Sequence, residues 1–69
     1  MMAEELWRGF TIVDNLTHED DFKAGGQWHT VDTKEYLPWP QLGKVRIVTT
    51  NGDVWTFECD TSIACRVYG

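Results

Sequence analysis

Sixty-nine residues carrying eleven acids against six bases (net charge −5), 42% hydrophobic and 13% aromatic, describe one small acidic domain and exclude a disordered chain. A chain this short buries only about 60% of the surface its unfolded form exposes, so its four Trp, three Phe and two Tyr must supply much of the core at about 150–250 Å² each. The bases stand apart at Arg8, Lys23, Lys34, Lys44, Arg46 and Arg66, which argues against duplex nucleic acid, whose binding rests on neutralised phosphates.

Residues 1–9, with Leu6 and Trp7 among acids, read as a flexible or docking leader to a single small β domain over 10–69. Phe10-Thr11-Ile12-Val13 is aromatic and β-branched and predicts a first strand, ended by Asp14-Asn15. From Thr17 to Gly25 the pattern predicts one or two helical turns. Thr17 would cap them, Glu19, Asp20 and Asp21 would fill the first turn where the helix dipole favours acids, and Gly25 would stop them. Gln27–Asp32 reads as a second strand. Thr33–Gly43 reads as an irregular stretch, because Pro38 and Pro40 lack amide donors and push Leu37 and Trp39 toward extended geometry.

The C-terminal third is the most legible. Lys44–Thr49 and Asp53–Cys59 flank Asn51-Gly52, a hairpin signal. A two-residue turn would pair apolar with polar side chains. A three-residue loop, Thr50-Asn51-Gly52 with Gly52 left-handed, sets Ile47 opposite Trp55, Val45 opposite Phe57 and Lys44 opposite Glu58. Since a one-residue slip exchanges the two faces of a strand, the second register is the expectation. After a turn at Asp60-Thr61-Ser62, Ile63, Cys65 and Val67 alternate with Ala64, Arg66 and Tyr68 in a last strand. The fold class is therefore mainly β: a five-stranded, strongly bent antiparallel sheet or SH3-like, partly open barrel with one short helix.

No charged start followed by an apolar run marks a secretory signal, and no stretch approaches the about 18 apolar residues of a membrane span. The expectation is a cytoplasmic protein whose Cys59 and Cys65 remain thiols on core-facing positions. Those cysteines with His18 and His29 form the right ligand set for zinc, but the spacing lacks a close Cys pair. A zinc-stabilised domain is thus a remote alternative, and no metal or cofactor is expected. No nucleophile is set on a recognisable turn beside a base, and no phosphate loop, dinucleotide fingerprint or calcium loop is present. Catalysis is not expected.

The aromatics around the Pro-containing stretch carry the functional expectation. Trp28, Tyr36 and Trp39, rimmed by Glu19, Asp20 and Asp21, form the predicted partner-binding set, since Trp and Tyr dominate interface hot spots. The function expected is a small protein-binding module, or inhibitor or regulator, for a partner with a basic surface. The alternative is a barrel that stacks single-stranded nucleic acid on the same rings. Trp39 folded back as a plug for the core is the structural explanation to be weighed against both. An edge strand offers a route to a dimer.

Overall fold

The computed structural model describes residues 4–69. Six strands form one open antiparallel sheet: β1 (Glu5–Ile12), β2 (Asp21–Ala24), β3 (Gln27–Tyr36), β4 (Lys44–Thr49), β5 (Val54–Glu58) and β6 (Ser62–Tyr68). Their spatial order is β1-β6-β2-β3-β4-β5, which leaves β1 and β5 as the two edges. The expected count of five strands is one short. The sheet is strongly bent, as chain connectivity requires. β5 and β6 stand four places apart in the order, about 19 Å in a flat sheet, yet the tight turn Cys59–Thr61 joins them, closed by Thr61 N–H to Glu58 O at 3.0 Å.

The expected helix over residues 17–24 does not form. Thr17–Asp20 is a turn, in which the Thr17 hydroxyl and amide both donate to the Asp20 carboxylate at 2.9 and 3.0 Å. Asp21–Ala24 is β2, hairpin-paired to β3 with Ala24 opposite Gln27. Gly25 and Gly26 both take positive φ (60° and 77°), the requirement of a two-residue turn whose twist suits a hairpin. The glycines that read as a helix stop are a hairpin turn instead. The one helical element among the described residues is the single 3-10 turn Val13–Asn15.

Two irregularities reshape the rest. Residues 5–9, read as the end of a leader, are the first part of β1, hydrogen-bonded along β6; residues 1–3 lie outside the described residues. A bulge between Glu5 and Trp7 breaks the alternation there, since an extra residue shifts the phase. In β3 the register slips between Val31 and Thr33, so His29 and Val31 face the core before it while Lys34 and Tyr36 stand opposite the buried Ile47 and Val45 after it. That phase change is why residues 33–36 read as irregular. The true loop is 37–43.

The β4–β5 hairpin matches its predicted register, with Lys44 opposite Glu58, Val45 opposite Phe57 and Ile47 opposite Trp55, and Gly52 has φ 88°. The core lies on the concave face and consists of Val13, Leu16, Phe22, Val31, Val45, Ile47, Ile63 and Cys65, with Ala24, Trp55, Phe57, Cys59 and Val67 packed against it. The Phe22 ring on β2 meets Phe57 on β5 edge-on at 6.1 Å, so one aromatic contact spans the bend. Both cysteines are free. Among the described residues no helix is long and apolar enough to cross a membrane.

Candidate functional site

The predicted site residues fall into three separate places. Trp28 and Tyr36 occupy opposite ends of β3, eight residues or about 27 Å of strand apart. Trp28 lies on the convex face, opposite Lys23. The Arg66 guanidinium covers its ring at 3.9 Å and lies 5.7 Å from the Tyr68 ring. A base stacking on Trp28 would have to displace that cation.

Asp21 belongs to the same group. It accepts from Arg66 at 2.7 Å and from the Thr30 hydroxyl at 2.7 Å, and it is only 9% exposed. Asp20 serves its own turn through Thr17. Glu19 is exposed at φ 73°, its carboxylate 3.7 Å from His18. Of the three predicted acids, one therefore closes a turn, one neutralises an arginine, and only Glu19 presents its charge to solvent.

Tyr36 and Trp39 stay together at the far end of the sheet. The Tyr36 hydroxyl donates to the Asp14 carboxylate, while Lys34 Nζ donates to the Asp14 carbonyl at 2.6 Å and sits 5.4 Å from the Tyr36 ring. Donation to a carboxylate holds the Tyr36 phenol above its ordinary pKa. Three residues on, Trp39 is 79% exposed. It does not plug the core. The loop that carries it is hydrogen-bonded throughout, by Leu37 N–H to Lys44 O (3.0 Å), Gln41 N–H to Pro38 O (2.9 Å) and Lys44 N–H to Gln41 O (3.3 Å). Leu42, exposed on the same loop, was not among the predicted residues. Beside it opens a shallow cleft of about 370 Å³ with Lys44, Glu58, Cys59 and Asp60 in its wall.

A second cleft, of about 410 Å³, lies between the β2–β3 turn and β5 and is lined by Gln27, His29, Asp53 and Trp55 among others. His29 Nε2 sits 3.1 Å from the Ala24 carbonyl, which can only accept, so that nitrogen carries the proton. Nδ1 lies 3.9 Å from the Asp53 carboxylate, and neither it nor the Trp55 indole N–H has a hydrogen-bond partner. Nothing in the local sequence marks this cleft, because the sheet's bend brings residue 29 to residue 55.

The four metal-type residues do not converge. His18 binds the Asp32 carbonyl at 2.7 Å, while Cys65 is buried on β6 opposite Gly9. Among the described residues no group of three or more His, Cys, Asp or Glu is placed to hold a metal ion. Burial pushes the Cys65 thiol up, with Asp20 and Asp21 adding to it. The chain matches no family model, no curated protein and no solved structure.

Proposed function

We propose that this protein is a non-catalytic, cytoplasmic binding module for another protein, docking through Tyr36, Trp39 and Leu42 on the end of a rigid SH3-like frame. The observation that supports it most is Trp39, a large apolar ring held out in solvent by a hydrogen-bonded loop. A loop backbone ordered before binding loses little entropy on binding, and Trp is a preferred anchor at interface centres. Glu58 and Asp60 outnumber Lys44 in the neighbouring cleft, and on a chain of net charge −5 they favour a partner segment that sets Lys or Arg beside an aliphatic residue.

Selection of phage-displayed peptides on the immobilised protein tests this. Peptides pairing a basic with an aliphatic residue are expected, and Trp39→Ala should lose them at an unchanged melting temperature, because an exposed side chain costs little stability. Selected peptides that bind Trp39→Ala as well as wild type would sink the reading. So would a Trp39→Ala variant that unfolds.

A further inference from the structure

The β1 edge carries an interaction that the Trp39 surface does not. Four of its residues, Leu6, Trp7, Phe10 and Ile12, are exposed large hydrophobics, with Phe10 at 76%. Its hydrogen-bonding direction follows from the ladder. Val13 N–H donates to Thr61 O at 2.9 Å, two residues beyond the Thr11–Ile63 pair. Antiparallel pairing alternates, so Trp7, Gly9 and Thr11 bond to β6, whereas Arg8, Phe10 and Ile12 turn their N–H and C=O groups outward. Among the described residues nothing pairs with them. Such an edge is a template for another strand, and the guard it carries, the bulge between Glu5 and Trp7, leaves Trp7–Ile12 regular. β1 has no Pro and no Lys, and the charge of Arg8 is matched within the chain by Glu5, which accepts at 2.6 and 3.2 Å.

The geometry points to a homodimer in which β1 pairs antiparallel with β1 of a second copy about a two-fold axis through Gly9, joining two six-stranded sheets into one of twelve strands. The sequence of β1 selects that register. A two-fold axis normal to the sheet pairs residues of the same face. Centred on Arg8, it would oppose two guanidinium groups, which is unfavourable. Centred on Trp7, it sets Phe10 against Glu4 and carries Ile12 beyond the described residues. Centred on Phe10, it leaves Leu6 and Trp7 without partners in β1. Centred on Gly9, Arg8 meets the Phe10 ring twice and Trp7 meets Thr11 twice, so the regular stretch beyond the bulge is paired with itself, and Leu6 of the bulge falls beside Ile12.

Gly9 also fits the axis sterically. A Cβ there would come within 2.7 Å of Trp7 Cζ2, so the indole lies across the glycine. At a non-hydrogen-bonded pair the two Gly9 Cα atoms approach to about 4.5 Å, and the two indoles flank the axis on the concave side. Covering these side chains and the backbone between them on two copies removes on the order of 1,000 Å², the low end for a specific interface. The dimer is therefore reversible, forming over a micromolar range rather than being obligate.

Sedimentation of the full chain between about 5 and 500 μM, a range suited to an interface of that size, tests the pairing. The mass is expected to rise toward twice the monomer's, and to stay monomeric in Phe10→Pro, which removes an outward amide that an edge strand can spare. Thr56→Pro makes the same change on the β5 edge and should still dimerise. Residue-resolved amide exchange gives a readout in wild type alone. The Arg8, Phe10 and Ile12 amides should slow as concentration rises, while those of Trp7, Gly9 and Thr11 are protected throughout. A monomer at every concentration would overturn the proposal. So would a dimer that survives Phe10→Pro, or concentration-dependent protection at Val54, Thr56 and Glu58 instead.

Discussion

The two edges of this sheet are opposite in kind. β5 is five residues long, and its ladder with β4, closed by Thr49 N–H to Asp53 O at 2.9 Å and Cys59 N–H to Gly43 O at 2.8 Å, turns the groups of Val54, Thr56 and Glu58 outward. Asp53, Glu58 and Asp60 surround that edge with acids, so a second copy of β5 would meet like charge. β1 is eight residues long and sets Phe10 and Ile12 on its outward positions. A short, acidic edge repels a passing strand, whereas a long, apolar one recruits it. One sheet can thus be closed to association on one side and open on the other, with direction set by side chains rather than by backbone.

Both edges hang from one core, and Phe22 is the residue that ties them. It is fully buried, stacks on His29 at 5.4 Å and meets Phe57 of β5 edge-on at 6.1 Å. Phe22→Ala should cost about 3–5 kcal/mol, the largest effect of any single truncation proposed here, and a large share of the 5–15 kcal/mol typical of whole domains. Urea unfolding followed separately by tryptophan fluorescence and far-ultraviolet circular dichroism should show a lower midpoint in which the two signals still coincide. Two separated transitions would mean that the β1 and β5 halves have cores of their own.

The next largest effect should fall on the β1 half alone. The Asp21 and Arg66 side chains are 12% and 20% exposed, and they pair at 2.7 Å between β2 and β6, with Arg66 lying on Trp28. Asp21→Ala leaves that arginine largely buried without its carboxylate, at a cost of about 2–3 kcal/mol. Amide exchange in the variant is expected to quicken in β6 and β1 and to change little in the β4–β5 hairpin. Equal acceleration in both would show that this polar cluster supports the entire sheet.

That asymmetry also explains which parts were legible from sequence. The hairpin was readable to the residue because Val45, Ile47, Trp55 and Phe57 alternate without interruption around an Asn-Gly turn, so pattern and turn chemistry agree. β6 was readable for the same reason, with Ile63 and Cys65 buried at alternate positions. On the other side each local signal pointed elsewhere. Glu19, Asp20 and Asp21 look like a helix start until Arg66, forty-five residues beyond Asp21, neutralises one of them. The bulge in β1 and the register slip in β3 break the two-residue period that betrays a strand. Of the predicted surface, Tyr36 and Trp39 are adjacent because only two residues separate them in the chain. Trp28 is elsewhere because eight residues of strand carry it to the other end of β3. The exposed stripe of β1 carries no strand signal of its own, because with Glu4 and Glu5 before it and Gly9 within it, Leu6 to Ile12 has no continuous alternation.

The smallest effect distinguishes the edges by their cysteines. Cys65 lies on β6 opposite Gly9 of β1 and is buried; Cys59 ends the β5 side and is half-buried. Burial raises the Cys65 thiol above its ordinary pKa, so the unfolded chain gives up this proton first as pH rises. Above about pH 8.5, where an unfolded cysteine ionises, the unfolded state holds fewer protons than the native one and stability falls with pH. The contribution is complete below that value and disappears as pH rises through the folded-state pKa. The Tyr36 phenol, raised by Asp14, acts in the same direction but starts higher, near pH 10 where free tyrosine ionises. Urea midpoints measured from pH 7 to 10.5 should therefore decline in two stages, with Cys65→Ala removing the earlier and Tyr36→Phe the later. A thiol reagent at pH 8 should modify Cys59 first and reach Cys65 only as fast as the β1 side opens. Simultaneous modification of both would mean that β1 leaves β6 readily, and an edge that frays in that way is no platform for a second copy.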